Sequence, residues 1–204
     1  MKIPFLNRSP EEEGGLRIVS IPIETNLVCL RGLSPKRLRF ELEYGLERGS
    51  TDNSFLFTTV SQDVEPRKVG ALVHPPGATY INPFLPALVG ALPPRSSILK
   101  VVVGHLNPNR VALLKKLAAT YSAIEFITSN PGAKLLNELW TKKKPGTKDE
   151  DPVLLPSIQV IRQDKILPGL GDYQLRLLPA PTPRWPGGLL AFEEHLGLLM
   201  SDKL

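Results

Sequence analysis

The stretch Gly104-His105-Leu106-Asn107-Pro108-Asn109-Arg110 joins two segments of different periodicity. Before it, residues 98–103 are apolar except for Lys100, and this pattern predicts a buried strand. After it, residues 111–119 place their apolar side chains about every 3.6 positions, which predicts a helix. The stretch is therefore a strand-to-helix loop. In α/β folds such loops lie at the carboxyl ends of strands and carry much of the chemistry.

The first part of the chain is typical of an antiparallel sheet. Its strict alternation of apolar and polar residues over 38–44 favours a half-exposed strand over a helix. The apolar runs on either side are short and are separated by turn residues. We predict strands at 16–23, 27–30, 38–44, 55–60 and 69–73.

The pattern changes after His74-Pro75-Pro76-Gly77. Helices and strands then alternate, which is the order of a βαβα arrangement. We predict helices at 84–92, from 111 onwards and at 133–140, and strands at 98–103 and 124–128. A polar loop follows over 141–153, and four more strands are predicted at 158–161, 173–177, 189–192 and 198–201.

Length and composition limit the class of protein. With 204 residues, 42% of them hydrophobic, the chain can build one domain with a substantial core. Its single cysteine, Cys29, excludes an internal disulfide and any site with several cysteine ligands. Cys29 lies in an apolar run and is expected to be a packed core thiol.

Charge and hydropathy argue against nucleic acid and membrane partners. The net charge is +5, but the basic residues are spread along the chain, and the one dense group, Lys142-Lys143-Lys144, precedes an acidic run. No apolar stretch is long enough to span a membrane. Residues 1–15 carry Glu11-Glu12-Glu13 and lack the apolar core of a secretory signal, so we expect a disordered segment with no targeting signal.

The loop also resembles a motif of a known protein family. It is similar to the metal-site loop in the metallo-β-lactamase-like domain of flavodiiron proteins, in the form Gly-His-x-Asn-Pro-Asn-Arg of the type A diflavin members from oxygenic phototrophs. The resemblance covers most of residues 16–204. It includes the segment from Leu30-Arg31-Gly32-Leu33-Ser34-Pro35 to Gly49-Ser50-Thr51, together with Pro181-Thr182-Pro183-Arg184-Trp185-Pro186 and Ser201-Asp202-Lys203-Leu204.

The resemblance implies an αββα sandwich, and the order of predicted elements suits it. The expected fold class is α/β (α+β), as an incomplete αββα metallo-β-lactamase-like sandwich over residues 16–204. In the family this domain continues through a last metal ligand and then a flavodoxin-like domain. We therefore expect the chain to be a fragment that lacks both.

The resemblance also implies which positions correspond to metal ligands. His105 matches the first histidine, and Asp202 matches the bridging carboxylate. The other matching positions have changed, since the loop carries two asparagines in place of carboxylates and two arginines stand where the family has histidines. The changed positions are Asn107, Asn109, Arg110 and Arg184.

We expect all of these substitutions to weaken metal binding. A guanidinium group stays protonated and cannot ligate a metal, and asparagine removes the negative charge that a metal pair requires. We hypothesise that Arg110 or Arg184 pairs with Asp202, with Asn107 and Asn109 supplying neutral hydrogen bonds. No metal and no confident catalytic residue are then expected, with His105 and Asp202 as weak metal candidates and a small anion near the arginines as a secondary possibility.

Each polar residue of the loop also has a plain structural interpretation. Asn107 and Asn109 flank Pro108, and asparagines in this setting often bond to backbone. A histidine without companion ligands is more often a satisfied loop residue than a metal ligand. His74 is predicted to be structural, and His195 is predicted to lie exposed in a turn.

Three functions remain open. The resemblance implies a component of electron transfer to oxygen, in which NAD(P)H or ferredoxin reduces FMN and a di-iron centre reduces oxygen to water. The altered site suggests a non-catalytic partner of a homologous flavodiiron protein, in a homo- or hetero-oligomer. A hydrolase of the same superfamily would need a metal-activated water, which this loop disfavours. The resemblance places the protein in a chloroplast stroma or a cyanobacterial cytoplasm, with no cofactor expected in the fragment itself.

Overall fold

The computed structural model describes residues 15–35, 39–40, 44–45, 49–61, 66–94, 97–142 and 154–202. Disorder was predicted for residues 1–15, and all of these but Gly15 lie outside the described ranges, as does most of the polar loop predicted at 141–153. Within them, the chain forms a large mixed sheet, a smaller antiparallel sheet and three helices.

Seven strands form the larger sheet, in the order β1-β2-β5-β6-β7-β8-β9. Neighbours from β1 to β6 pair antiparallel, and neighbours from β6 to β9 pair parallel. This confirms the predicted change from an antiparallel part to a βαβα part. The strands are β1 (Arg17–Glu24), β2 (Leu27–Ser34), β5 (Ser50–Val60), β6 (Lys68–Val73), β7 (Ser97–Val102), β8 (Ile124–Ser129) and β9 (Ser157–Ile161).

The segment predicted as one strand over 38–44 is different in the structure. Short strands β3 (Arg39–Phe40) and β4 (Tyr44–Gly45) pair antiparallel, with Phe40 opposite Tyr44. The prediction of one strand was wrong because alternation along a chain is the same in a single strand and in two strands joined by a turn. The residues between them lie outside the described ranges.

Four strands form the second sheet, in the order β10-β11-β12-β13, and all neighbours pair antiparallel. They are β10 (Lys165–Ile166), β11 (Leu175–Pro179), β12 (Leu189–Glu193) and β13 (Leu198–Met200). Strand β10 was not predicted because two residues carry no periodic signal. Strand β11 begins later than predicted, since Tyr173 donates its backbone N–H to Leu170 O in a turn.

The three helices are α1 (Ile81–Ala91), α2 (Pro108–Thr120) and α3 (Asn130–Thr141). Proline lies in the first turn of α2 and of α3, where its missing N–H costs no intrahelical hydrogen bond. Asparagine caps α2 and serine caps α3, each accepting a backbone N–H through its side chain. A single 3-10 turn at Ala78–Tyr80 leads into α1.

Two hydrophobic cores hold these layers together. The first lies between the helices and the large sheet and contains Phe84, Leu114 and Phe126 among its fully buried side chains. The second lies between the two sheets and includes Phe57 and Leu175, with no helical residue among its buried members. The described residues therefore form a three-layer α/β sandwich. No helix among them is long and apolar enough to cross a membrane.

Candidate functional site

The candidate site lies where β6, β7 and β13 end. A polar residue follows each strand within three positions: His74 comes directly after β6, His105 three residues after β7, and Asp202 two residues after β13. Strands β6 and β7 are parallel neighbours, so their carboxyl ends share one edge of the large sheet. Because the second sheet packs on the first, it brings Asp202 to the same place from a position 92 residues from Arg110 in sequence.

The centre of the site is a buried ion pair between Arg110 and Asp202. Arg110 Nη1 donates to Asp202 Oδ2 at 2.6 Å, and Nη2 donates to Oδ1 at 3.0 Å. The two side chains are 4% and 7% exposed. Arg110 Nη1 also donates to the backbone oxygen of His105 at 2.8 Å. Of the two arginines suggested by the sequence, Arg110 makes this bidentate contact, which both strengthens and orients the pair.

Asn107 fixes the conformation of the loop. Its Oδ1 accepts the backbone N–H of Arg110 at 2.7 Å and so caps helix α2. The same contact orients the amide, so that Nδ2 points at His105 Nε2 at a distance of 3.1 Å. Because Nδ2 is a donor, His105 Nε2 must be the acceptor and its ring proton must lie on Nδ1. The helix cap thereby occupies the lone pair that a metal would need on His105.

The remaining two residues predicted from the sequence lie at the surface. Arg184 is exposed, and its guanidinium carbon lies 5.5 Å from the centre of the Trp185 ring. Trp185 in turn contacts His105 edge-on, with ring centres 3.9 Å apart. Asn109 is exposed as well and lies against Gly77, where an added Cβ would come within 2.7 Å of Asn109 Nδ2. The structure therefore brings together four of the six predicted residues: His105, Asn107, Arg110 and Asp202.

His74 belongs to the site although its sequence context did not indicate this. It is 2% exposed, its Nε2 lies 3.1 Å from Met200 O, and its Nδ1 lies 3.7 Å from Asp202 Oδ2. A carbonyl oxygen can only accept, so Nε2 carries the proton and donates to it. A histidine directly after a buried strand was the available signal, but its partner Asp202 is 128 residues away and no spacing rule connects them. His195 is exposed in a turn, as predicted.

Burial and charge act against each other in this cluster. Burial lowers the pKa of His74, although Asp202 opposes the shift, and the imidazole is neutral at pH 7. For Asp202, burial favours a higher pKa, but the charge of Arg110 and its hydrogen bonds to the carboxylate lower the pKa below its ordinary value. The site therefore holds a carboxylate and a guanidinium as a neutral pair, next to an uncharged imidazole.

The lowered pKa of His74 predicts that the stability of the domain depends on pH. Between the folded pKa and the ordinary value of about 6.5, the unfolded chain binds a proton that the folded chain does not. The free energy of unfolding should therefore decrease as pH falls from 7.5 to 5, by up to about 1.4 kcal/mol per pH unit. Urea denaturation at several pH values measures this.

A matched pair of variants tests that assignment. In His74→Gln the amide nitrogen can still donate to Met200 O, but no group titrates, so most of the slope should disappear. In His195→Gln an exposed histidine is replaced, and the slope should persist. An unchanged slope in His74→Gln would contradict the assignment. Asp202 acts in a separate range, since its stabilising contribution is lost only as pH falls below about 4, its ordinary pKa range.

Few of the site's donor atoms are available to a metal. Arg110 covers both carboxylate oxygens of Asp202, and Asn107 occupies Nε2 of His105. Within the described ranges, no group of three or more His, Cys, Asp or Glu side chains is arranged to hold a metal ion. Within the described residues, the donor atoms of Asp202 and His105 Nε2 are therefore engaged in an ion pair and a hydrogen bond.

Comparison with known proteins agrees with the fold. No protein-family profile matches the chain. Diflavin flavoprotein A 6 of Nostoc sp. is 36% identical over 184 residues, which are 90% of this chain and 29% of that protein. The chain thus spans less than a third of the length of the curated relatives it matches.

Solved structures give the same picture. The metal-soaked Flv1 flavodiiron core from Synechocystis sp. has a TM-score of 0.73 at 32% identity, over 88% of this chain and 40% of that one. A fragment, residues 1–254, of diflavin flavoprotein A 5 from Nostoc sp. has a TM-score of 0.72 at 31% identity, over 91% and 65%. The chain is therefore a homologue of the diflavin flavoproteins A and carries the metallo-β-lactamase-like domain of the flavodiiron family.

Proposed function

We propose that this chain is a flavodiiron-type domain in which an ion pair replaces the metal centre. We further propose that it acts in electron transfer to oxygen as a non-catalytic partner of a homologous, metal-binding diflavin flavoprotein. The observation that carries the proposal is the position of Arg110, whose guanidinium lies on both carboxylate oxygens of Asp202. Its relatives are named diflavin flavoproteins, and a structural relative is named a flavodiiron core.

The residues present do not fit a pair of iron ions. A di-iron centre requires several imidazoles and carboxylates, because anionic ligands must offset the charge of the metals. Here Asp202 is the carboxylate at the centre, and its charge is already balanced by a guanidinium that cannot lose its proton. A metal ion would have to displace Arg110 from a site that is more than nine-tenths buried. The displaced cation would then lie beside the metal, where both charges repel.

The same argument bears on the other two functions. Oxygen reduction by this domain alone would require the metal centre that Arg110 excludes. A hydrolase of the superfamily would require a metal-activated water at the same place. A partner role requires neither, since an oligomer can hold its chemistry in the homologous subunit. In the complete system, FMN would carry electrons from NAD(P)H or ferredoxin, in a chloroplast stroma or a cyanobacterial cytoplasm.

Metal content tests the first half of this proposal. The purified protein is incubated with Fe²⁺ without oxygen, desalted, and its iron and zinc are measured by elemental analysis. We expect less than about 0.1 metal per chain, because no complete ligand set is open. Stoichiometric iron in the unmodified protein would overturn the proposal.

A variant with the family's residues restored provides the comparison. It carries Asn107→Glu, Asn109→Asp, Arg110→His and Arg184→His, which return carboxylates and imidazoles to the positions where the resemblance implies them. We expect it to retain about one metal per chain. The control carries Asn137→Asp and Lys134→His on helix α3, away from the site, and should stay metal-free. Equal metal in all three proteins would mean that binding is unrelated to the site.

The partner role needs its own measurement. The chain is mixed at about 10 μM with a homologous diflavin flavoprotein, and the mass of the complex is determined by light scattering after size exclusion. A hetero-oligomer is the expected result. If the two proteins elute separately, the partner role is wrong even if the site is metal-free.

A further inference from the structure

The carboxylate of Asp202 lies just beyond the end of an edge strand. Strand β13 pairs with β12 on one side, and among the described residues no strand pairs with its other side. An edge strand makes ladder hydrogen bonds on one side only. The last paired residue is Met200, so Ser201 and Asp202 lie outside the paired register. Pairing within the sheet therefore does not by itself fix the position of the carboxylate.

His74 reaches the end of this strand from the large sheet. Its Nε2 lies 3.1 Å from the backbone oxygen of Met200, and because a carbonyl oxygen can only accept, Nε2 carries the proton and donates. Its Nδ1 lies 3.7 Å from Asp202 Oδ2. One imidazole therefore contacts both the last paired residue of β13 and the carboxylate that follows it.

His74 is itself fixed by hydrogen bonds to two other strands. Its backbone N–H donates to Val102 O of β7 at 2.9 Å, and its backbone oxygen accepts from Ser54 Oγ of β5 at 2.9 Å. The residue is buried and has φ of 56°, in the left-handed region. Such a conformation persists where the surrounding structure fixes it, and histidine is among the non-glycine residues enriched there. His74 thus links β5, β7 and β13 through hydrogen bonds.

The ring also contacts the loop that carries the other half of the ion pair. A Cβ added at Gly104 would lie 2.7 Å from His74 Cε1, so the imidazole fills the space next to the loop backbone. The following residue, His105, accepts from Arg110 Nη1 through its backbone oxygen at 2.8 Å. The loop with Arg110 and the strand end with Asp202 are therefore both packed against His74.

The ion pair tolerates little displacement. Its two hydrogen bonds are 2.6 and 3.0 Å long. Hydrogen bonds of the N–H···O type rarely exceed about 3.2 Å, so a shift of the strand end by about 1 Å would break at least one of them. One carboxylate oxygen would then have lost its guanidinium donor. Both contacts to the guanidinium therefore depend on where the end of β13 is held.

We propose that His74 is a positioning residue for the ion pair: its Nε2–H holds the end of β13 where both oxygens of Asp202 meet the guanidinium of Arg110. The inference rests on the first part of the proposed function, in which the ion pair takes the place of a metal centre. It does not depend on the partner role.

Two variants of similar length separate the hydrogen bond from the rest of the side chain. His74→Gln keeps an N–H for Met200 O, and His74→Met has no donor. In the wild type and in each variant, Arg110→Met and Asp202→Asn are combined in a double-mutant cycle, with urea denaturation as the measurement. We expect the coupling free energy between Arg110 and Asp202 to stay near the wild-type value in His74→Gln. In His74→Met it should fall by at least about half.

Two outcomes of these cycles would overturn the proposal. A purely structural role for His74 would lower the stability of His74→Met but leave the coupling free energy equal in all three backgrounds. Equal losses of coupling in His74→Gln and His74→Met would show that the hydrogen bond does not matter. Elemental analysis of the wild-type protein keeps this proposal apart from the proposed function. Stoichiometric iron contradicts the ion pair itself, whereas a metal-free protein with unchanged coupling contradicts only the positioning role.

A further variant serves if His74→Met does not fold. Asparagine tolerates positive φ, but its side chain is shorter than that of histidine, so in His74→Asn the amide falls short of Met200 O. The guanidinium Nη signals of Arg110 are recorded by nuclear magnetic resonance. A bidentate contact holds the guanidinium in one orientation, so we expect separate Nη1 and Nη2 signals in the wild type and in His74→Gln, and averaged signals in His74→Asn. His195→Gln, which replaces an exposed histidine, should give the wild-type spectrum. Separate signals in His74→Asn, or averaged signals in His74→Gln, would overturn the proposal.

Discussion

Replacing Arg110 with alanine is expected to destabilise the domain by about 3–5 kcal/mol. The substitution leaves Asp202 with a charge in a side chain that is 7% exposed and with both oxygens stripped of their guanidinium donors. Breaking one side of a buried pair costs more than the pair itself contributes, because the remaining charge stays desolvated. The loss should lower Tm by roughly 10 °C for a domain of this size.

Urea denaturation measures this loss, and Arg184→Ala is the matched control. Arg184 is exposed, so its truncation should change the free energy of unfolding by less than about 0.5 kcal/mol. If Arg110→Ala lowers the free energy of unfolding by less than about 1 kcal/mol, the ion pair is solvated. That result would contradict the proposal that a buried ion pair replaces the metal centre.

A double-mutant cycle separates the pair from its surroundings. Arg110→Met keeps the stem of the side chain without its charge, and Asp202→Asn keeps a residue that tolerates positive φ. We expect the double variant to be more stable than the sum of the two single changes predicts, by about 1–3 kcal/mol. Strict additivity would mean that the two side chains do not stabilise each other.

Gly104→Ala is expected to cost about 2–3 kcal/mol, the second largest effect. A Cβ at this position would lie 2.4 Å from the backbone oxygen of Leu189 and 2.7 Å from His74 Cε1. The first neighbour belongs to strand β12 and cannot rotate away, so the second sheet must move relative to the loop. Because His74 would move as well, the imidazole ¹⁵N signals should shift together with the loss of stability.

Gly90→Ala is the matched control for this change. Gly90 lies in helix α1, and an added Cβ there meets no atom within 4 Å. Alanine is the better helix former, so this variant should gain about 0.5 kcal/mol. The same chemical change is thus expected to have opposite signs at the two positions. If Gly104→Ala is as stable as the wild type, strand β12 can move away from the added Cβ without a loss in the free energy of unfolding.

Local patterns predicted most of the elements. The apolar runs at β6, β7 and β8 are short and bounded by turn residues, and helices α2 and α3 combine apolar periodicity with prolines at their first turns. Such signals arise within one turn or one strand and need no distant partner. The failures were the paired strands β3 and β4 and the two-residue strand β10, all of which are defined by pairing with another strand.

The loop sequence by itself determined the charges that this loop contributes to the site. Asparagine and arginine at positions 107, 109 and 110 remove anionic ligands and introduce a permanent cation, whatever the fold around them. The sequence likewise determined the strand-to-helix connection and the cap on α2, because these depend on neighbouring residues alone.

Only the tertiary structure decided which residues meet. It joined Arg110 to Asp202, turned Arg184 outwards onto Trp185, and placed His74 against the carboxylate. These contacts depend on how the second sheet packs over the first, through a core shared by residues from Leu27 to Met200. Packing of this kind is a property of the whole chain. A local sequence pattern does not specify which face of a distant strand will cover a given loop.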